Sequence, residues 1–230
     1  MEVNDVIRAE FPSVAINLYN EEPPLPPPFK GKRVLPPYKI LDKGGVKIAV
    51  IGITAAIVPQ QADVFNIGLR FTQGVEELPG IIAAAQSEAE CGGNCLIVVQ
   101  SELGLSQNLK IARSFDDIDV MYSAHTHEIT LGALLADKEG VTVTDAGTTD
   151  NAVTSGQTIV VETNRDMYVG QLDLNLTATG DDVMSFTWQA IPVVADGVNG
   201  IDGVDEDEGI AALVALIEED FVAGEDGIVK

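Results

Sequence analysis

The sequence predicts an α/β fold, because buried strands and amphipathic helices alternate along its central part. Residues 46–53 and 96–100 are apolar runs of the kind that a sheet buries on both faces. Apolar side chains recur at helical spacing over residues 75–89, and residues 105–113 predict a second helix. A third strand is predicted at residues 118–122, so that strands and helices alternate as they do in sheets with parallel strands.

The remaining elements are strand-like. Residues 13–18 alternate weakly and predict a short strand, and Ser106 is the predicted N-cap of the second helix. After residue 140 the pattern changes to strands separated by Gly, Asn and Asp turns, at residues 141–144, 158–162, 167–176 and 183–191.

The 230 residues are interpreted as one domain, residues 1–195, followed by a linker-like tail. Residues 21–37 carry seven of the eleven prolines and predict a long, stiff surface loop, favoured over a polyproline ligand for a partner. The tail, residues 196–230, is interpreted as an acidic loop followed by a short amphipathic helix at residues 210–221.

The charge balance excludes some classes of partner. Thirteen basic residues stand against 36 acidic residues, which gives a formal net charge of −23. Nucleic acids and anionic membrane surfaces need clustered Lys and Arg, so neither is an expected partner. Apolar runs are also far shorter than the roughly 20 residues of a membrane-spanning helix. The first five residues show no secretory signal, and the localisation stays open.

The chain has two cysteines, Cys91 and Cys95, separated by Gly-Gly-Asn. Three interpretations remain open for them: a small disulfide across a turn in an oxidising compartment, two free thiols, or half of a metal site. No second cysteine pair completes a zinc site, so the metal interpretation is the weakest of the three.

Both histidines, His125 and His127, follow the predicted strand 118–122. Loops at the carboxyl ends of strands are where α/β sheets bind ligands. Two imidazoles separated by one residue can bind one metal ion or two neighbouring ions. A surface loop that happens to contain histidine is the alternative, but the presence of both histidines at this position favours a metal site.

Five segments resemble the calcineurin-like metallophosphoesterases of the 5′-nucleotidase type: residues 46–53, 96–104, 118–128, 158–162 and 168–174. Within them, Ser123-Ala124-His125-Thr126-His127 is similar to the family's Gly-His-x-His motif, with Ala124 in place of the usual Gly. The resemblance covers roughly residues 11–195, and the sulfate-thiol hydrolase-like and bacterial 5′-nucleotidase branches are the most similar.

The resemblance implies a partial α-β-β-α sandwich from which the N-terminal half of the sheet core is missing. It also implies the hydrolysis of phosphoric monoesters, above all nucleotides, by two divalent ions such as Zn²⁺ or Mn²⁺ that activate a water molecule. By position in the motif, His125 would bind the second ion and His127 the first. The implied partner is a small phosphorylated substrate.

Two departures from the family pattern limit this expectation. Glu102, in Ser101-Glu102-Leu103-Gly104, stands where the family has the ligand of Ser-His-x-Gly, and it offers a harder oxygen donor. No histidine precedes residue 125, so the N-terminal motifs Asp-x-His and Gly-Asn-His have no counterpart. We therefore expect the chain alone to be inactive or nearly so, with at most one weakly bound ion.

A separate N-terminal half would then have to supply the missing ligands and cover the open strands. Without it, apolar surface near residues 46–53 and 96–101 should be exposed or should drive self-association. The competing hypothesis is a non-catalytic module that uses the same fold to bind a metal or a partner, and Glu102 in place of His favours it slightly.

Overall fold

The computed structural model describes residues 12–21, 31–61, 66–163, 167–193, 208–209 and 211–212. The helices in these residues are α1 (Leu78–Ser87), α2 (Leu105–Ala112) and a 3-10 turn at Val58–Gln60. The strands are β1 (Leu18–Asn20), β2 (Tyr38–Lys43), β3 (Val46–Ile53), β4 (Leu69–Phe71), β5 (Leu96–Ser101), β6 (Val120–Ser123), β7 (Leu134–Asp137), β8 (Gly140–Val143), β9 (Asn151–Ala152), β10 (Thr158–Val161), β11 (Tyr168–Leu176) and β12 (Val183–Pro192).

Seven strands form the central sheet, in the order β2-β3-β5-β6-β10-β7-β8. Its four middle strands, β3, β5, β6 and β10, are parallel, whereas β2, β7 and β8 pair antiparallel at the two sides. A three-stranded sheet, β11-β12-β9, and a two-stranded ribbon, β1-β4, complete the described strands. The α/β class predicted from the sequence is confirmed, with mixed rather than purely parallel sheets.

Each face of the central sheet has its own core. On one face, α1 packs against β2 and β3 and α2 against β6, β7 and β10, and they bury side chains such as Ile51 and Val99 completely. On the other face, Phe186 and Trp188 of the three-stranded sheet pack with Ile159. The four parallel strands are therefore covered on both faces over much of their length, as their apolar sequences require.

The chain divides into two compact units: residues 1–165 with 170–190, and residues 166–169 with 191–230. The first unit contains the central sheet and the candidate site. The predicted helix 210–221 lies outside the described residues except at residues 211–212, which are helical. The predicted acidic loop and the proline-rich residues 22–30 also lie almost wholly outside them.

Some local predictions were wrong. Among the described residues the first strand is Leu18–Asn20, and residues 13–17 of the predicted strand 13–18 are not in a strand. The N-cap of α2 is Gly104, with φ +85°, and Ser106 makes no capping hydrogen bond. The strands β2, β4, β7 and β9 were not predicted, because they are short or mix polar and apolar side chains. No helix in the described part of the chain is long and apolar enough to cross a bilayer.

The exposed apolar surface expected along residues 46–53 and 96–101 is only partly present. Side chains facing the helices are buried, whereas Val50 and Val98, register neighbours on the opposite face, are half-buried. Tyr122, one strand further along that face, is 37% exposed.

Candidate functional site

The candidate site lies at the carboxyl edge of the parallel strands. Ile53, Ser101 and Ser123 are register neighbours there, at the ends of β3, β5 and β6. The backbone N–H of Glu102 donates to the carbonyl of Ile53 at 2.9 Å, and that of Ala124 donates to the carbonyl of Ser101 at 2.9 Å. The loops that follow β5 and β6 therefore leave the sheet side by side.

This arrangement brings together two of the three predicted metal ligands. Nδ1 of His125 lies 3.8 Å from Oε2 of Glu102, and the two side chains are 38% and 51% exposed. His125 has a left-handed backbone, with φ +89°, which is uncommon for a residue other than Gly. An imidazole nitrogen and a carboxylate oxygen thus lie next to each other at the edge of the sheet, where solvent reaches both side chains.

The third predicted ligand, His127, does not form a three-residue metal-binding group with Glu102 and His125. It is exposed, also has a left-handed backbone with φ +54°, and is separated from His125 by Thr126. Across the described residues, no group of three or more His, Cys, Asp or Glu side chains is placed to hold a metal ion. The chain therefore offers two adjacent donors and a third nearby in sequence.

Two cavities border these loops. The larger, about 540 Å³, is lined by Val14, Gly52, Ile53, Thr54, Gln100, Ser101, Glu102, Tyr122, Ser123, Ala124 and Thr163. The smaller, about 210 Å³, is lined by Ala56, Ile57, Gln60, Gln73, Glu102, Leu103 and His125. Glu102 borders both cavities and His125 the smaller one, so both side chains face space that a ligand could enter. Burial raises the pKa of Tyr122 in the larger cavity.

The loop after β3 is fixed by a buried amide that sequence reasoning missed. Asn17 is fully buried, and its Nδ2 donates to the carbonyls of Thr54 at 2.8 Å and Thr72 at 2.9 Å. Its Oδ1 accepts the backbone N–H of Thr54 at 2.9 Å. Both polar atoms of the side chain thus bind the backbone of Thr54, which borders the larger cavity. The signal for Asn17 in the sequence is a single amide within the apolar run 14–18.

A buried polar network lies directly behind the two loops. Ser101 Oγ donates to Oδ1 of Asn108 at 2.7 Å, and Nδ2 of Asn108 donates to Oγ of Ser123 at 2.8 Å. Ser123 Oγ in turn donates to Oε2 of Glu162 at 2.5 Å. Glu162 follows β10 and is only 2% exposed. The network therefore connects the ends of β5, β6 and β10 with α2.

Thr126, between the two histidines, caps α2 from another part of the chain. Its Oγ1 accepts the backbone N–H of Leu105 at 3.2 Å. A Cβ at Gly104 would lie 2.7 Å from Cγ2 of Thr126, so only Gly leaves room for this contact, and φ +85° at Gly104 also favours Gly. The backbone N–H of Gly104 donates to the carbonyl of Ala124 at 3.0 Å. The loop that carries Glu102 and the loop that carries His125 thus pack directly on each other.

Glu162 is the most important residue of this region that sequence reasoning missed. Its only signal was a carboxylate placed immediately after the buried strand Thr158–Val161 and at the same sheet edge as the histidines. A charged residue next to a buried strand is usually exposed, so the local pattern did not indicate burial.

Comparisons with known proteins support a distant relationship. The chain is 29% identical over 140 residues to an uncharacterized metallophosphoesterase, YunD, of Bacillus subtilis, and the match covers 57% of this chain and 27% of that protein. It is 33% identical over 101 residues to a 5′-nucleotidase of Vibrio cholerae, covering 44% of this chain and 16% of that protein. No family model matches the sequence.

Solved structures show a similar fold over nearly the whole chain. The sulfate thiohydrolase SoxB of Thermus thermophilus matches with a TM-score of 0.66 at 18% identity, over 99% of this chain and 34% of that chain. A 5′-nucleotidase precursor of Thermus thermophilus matches with a TM-score of 0.65 at 21% identity, over 96% and 40%. The chain is therefore distantly similar to metallophosphoesterases and 5′-nucleotidases, and it spans well under half the length of these relatives.

Proposed function

We propose that this chain forms the C-terminal part of a metallophosphoesterase domain of the 5′-nucleotidase type and that Glu102, His125 and His127 are its contribution to the metal site. The observation that carries the proposal is the approach of His125 Nδ1 to within 3.8 Å of Glu102 Oε2 at the carboxyl edge of the sheet. The distant similarity to enzymes of this class supports it. The reaction would be the hydrolysis of a phosphoric monoester, most of all a nucleotide.

The donor set suits a divalent ion chemically. Imidazole nitrogen and carboxylate oxygen are ligands of Zn²⁺ and Mn²⁺ in proteins. When bound, such ions polarise the phosphoryl oxygens and lower the pKa of a water molecule that attacks phosphorus. The task of His125 and His127 is to present a nitrogen lone pair, which requires neutral imidazoles. Glu102 adds a negative charge where the family uses histidine, so harder ions such as Mn²⁺ should be favoured.

Bound cations would also serve recognition of the substrate. The chain carries a formal net charge of −23, so an anionic phosphate meets a repulsive surface unless local positive charge offsets it. Nucleic acids and membranes are not proposed as partners, because the same acidity disfavours both.

Two donors and a third nearby are too few for a two-ion site. The described residues contain no larger group of metal-binding side chains, and the histidine-containing motifs of the family's N-terminal part have no counterpart in this sequence. We therefore propose that the chain by itself binds at most one ion weakly and is inactive or nearly so. A separate N-terminal half would complete the site.

Metal titration of the isolated chain tests the ligand assignment. After dialysis against chelator, isothermal titration calorimetry with Mn²⁺ and Zn²⁺ should show one weak site. His125→Ala, His127→Ala and Glu102→Gln should each weaken binding by at least the roughly 10- to 100-fold that loss of an outer-shell partner costs. The exposed Glu139→Gln serves as the control and should leave the affinity unchanged.

Hydrolysis of p-nitrophenyl phosphate and of nucleoside monophosphates should be undetectable with the isolated chain. Robust turnover that His125→Ala abolishes would contradict the proposed inactivity. Ion binding that is absent, or that survives all three substitutions, would overturn the metal site itself.

A non-catalytic module that binds a metal or a partner is the second candidate, and Glu102 in place of a histidine is the observation that favours it. The DNA upstream of the Met1 codon discriminates the two. A reading frame that encodes Asp-x-His and Gly-Asn-His motifs would support the enzyme, whereas unrelated sequence would support the module.

A further inference from the structure

Glu162 is a buried carboxylate that forms no ion pair with a Lys, Arg or His among the described residues. At 2% exposure it is among the most buried large side chains, and each of its oxygens accepts hydrogen bonds from neutral groups. Oε2 accepts from Ser123 Oγ at 2.5 Å, while Oε1 accepts from Thr126 Oγ1 at 3.2 Å and from the backbone N–H of Glu128 at 3.1 Å. All three donors belong to the strand end and loop that carry the two histidines.

The donors behind Glu162 are consistently oriented toward it. Asn108 Nδ2 donates to Ser123, which uses its own hydrogen to donate to Glu162. Asn108 also holds Ser101 through its Oδ1, so α2, β5 and β6 each contribute a polar group that supports the carboxylate. A satisfied buried network of this kind fixes the conformation of its members more strongly than separate hydrogen bonds do.

The loop that Glu162 holds is strained. His125 and His127 both have left-handed backbones, a conformation that is uncommon and energetically costly for residues other than Gly. Thr126, which lies between them, donates to Glu162, and the backbone of Glu128 on the other side of His127 does so as well. The contacts of Glu162 thus fall on both sides of His127 and immediately after His125.

The main chain of Glu162, directly after β10, binds the same loop. Its carbonyl accepts the backbone N–H of Thr130 at 2.9 Å and the hydroxyl of Thr130 at 3.1 Å. Its N–H donates to Oγ1 of Thr130 at 3.0 Å. Main chain and side chain of Glu162 therefore hold the end of β6 at Ser123 and residues 126, 128 and 130 within the loop that connects β6 to β7.

We propose that Glu162 is a positioning residue that imposes the left-handed conformations of His125 and His127 and so presents both imidazoles to the metal site. The inference rests on the proposed function for the role of the imidazoles, but its effect on the loop is independent of any metal. Substitution of an outer-shell partner in metal sites costs about 10- to 100-fold in affinity, and we expect the loss at Glu162→Ala to fall in this range.

Histidine-selective NMR tests the proposal without metal. The chain has only two histidines, so ¹³C,¹⁵N-histidine labelling gives two imidazole spin systems, which His125→Gln and His127→Gln assign. Glu162→Ala should shift both imidazole signals. Glu162→Gln should shift them less, because its amide oxygen can still accept from Thr126 and Glu128, although its NH₂ group cannot accept from Ser123.

Thr158→Val is the matched structural control. Thr158 is fully buried at the opposite end of β10, and its hydroxyl donates to the carbonyl of Ile118 at 2.8 Å, far along the strand from the histidine loop. This variant should lower the melting temperature but leave both imidazole signals at their wild-type positions. Zn²⁺ titration of the same samples should show weakened binding in Glu162→Ala and unchanged binding in Thr158→Val.

Imidazole signals of Glu162→Ala at their wild-type positions would overturn the proposal. If Glu162→Ala does not fold, imidazole signals of Glu162→Gln at their wild-type positions would overturn it instead. Shifts in Thr158→Val as large as those in the Glu162 variants would also overturn the proposal. A wild-type chain that binds no Zn²⁺ would instead count against the proposed function, and the metal-free spectra would still decide the role of Glu162.

Discussion

Asp119 is a partly buried carboxylate at the opposite edge of the parallel strands from the histidines. Its Oδ2 accepts the backbone N–H of Ile97 at 2.7 Å, and it lines a cavity of about 370 Å³ with four other aspartates, among them Asp117, Asp181 and Asp182. Burial, followed by repulsion from these three neighbours, raises the pKa of Asp119 to about 6, although the hydrogen bond from Ile97 opposes the shift.

The raised pKa predicts the pH dependence of stability. Because the unfolded chain loses this proton near pH 4 and the folded chain only near pH 6, the contribution of Asp119 declines as the pH rises through that window and is constant above it. Asp119→Asn keeps an acceptor for Ile97 and removes the charge. It should therefore stabilise the protein by about 1–3 kcal/mol at pH 7.5.

Urea unfolding of wild type and Asp119→Asn between pH 3.5 and pH 8 checks this prediction, with the exposed Asp145→Asn as the control. The difference in free energy of unfolding should shrink toward zero at the acid end of the series. A difference that is independent of pH, or shared by Asp145→Asn, would show that Asp119 does not carry the effect.

The disulfide constrains the connection between two secondary-structure elements, α1 and β5. Cys91 and Cys95 are bonded across a Cα–Cα distance of 5.1 Å, which selects one of the three interpretations left open by the sequence. The bond lies between the end of α1 at Ser87 and the start of β5 at Leu96, and both cysteines are buried in the core that α1 covers. It therefore fixes the connection through which α1 leads into the strand before Glu102.

Reduction of this bond should destabilise the fold modestly, because it closes a loop of only a few residues. Chain-entropy arguments give about 2 kcal/mol for such a loop. Urea unfolding with and without dithiothreitol should show this loss for the wild type, and the double variant Cys91→Ala, Cys95→Ala should not respond to the reductant. A wild-type protein equally stable under both conditions would mean that the bond contributes nothing.

For the whole molecule, the negative net charge and an incompletely covered sheet face have opposite effects on self-association. Val50 and Val98 are half-buried on the face opposite the helices, and Tyr122 is 37% exposed there. Apolar contact through this face would favour self-association, whereas a net charge of −23 opposes it. Since salt screens the repulsion within about 10 Å at 0.1 M, association should increase with ionic strength.

Sedimentation velocity over a range of salt and protein concentration checks this expectation. Val50→Lys should suppress association, whereas Met184→Lys, on the three-stranded sheet and already 54% exposed, should not. Circular dichroism establishes that both variants are folded. A chain that is monomeric at high salt and high concentration, or that both substitutions affect equally, would contradict a role for this face.

The sequence alone determined the central strands and the helices that cover them. β3 lies at its predicted bounds, Val46–Ile53, and α1 lies within the predicted residues 75–89. A strand buried on both faces requires an uninterrupted apolar run, and a helix buried on one face requires apolar residues at a 3.6-residue period. Both patterns can therefore be recognised from neighbouring residues in the sequence. The position of His125 and His127 after β6 followed from the same patterns.

Only the tertiary structure decided how the loops of the candidate site are held. Leu105 is capped by Thr126, 21 residues away, and not by the adjacent Ser106. Glu162 is buried because its donors lie 34 to 39 residues earlier in the chain, on a loop that the pairing of β6 with β10 brings beside it. Local periodicity records which face of an element is apolar, but the donors that make a buried charge tolerable are set by the path of the chain between elements.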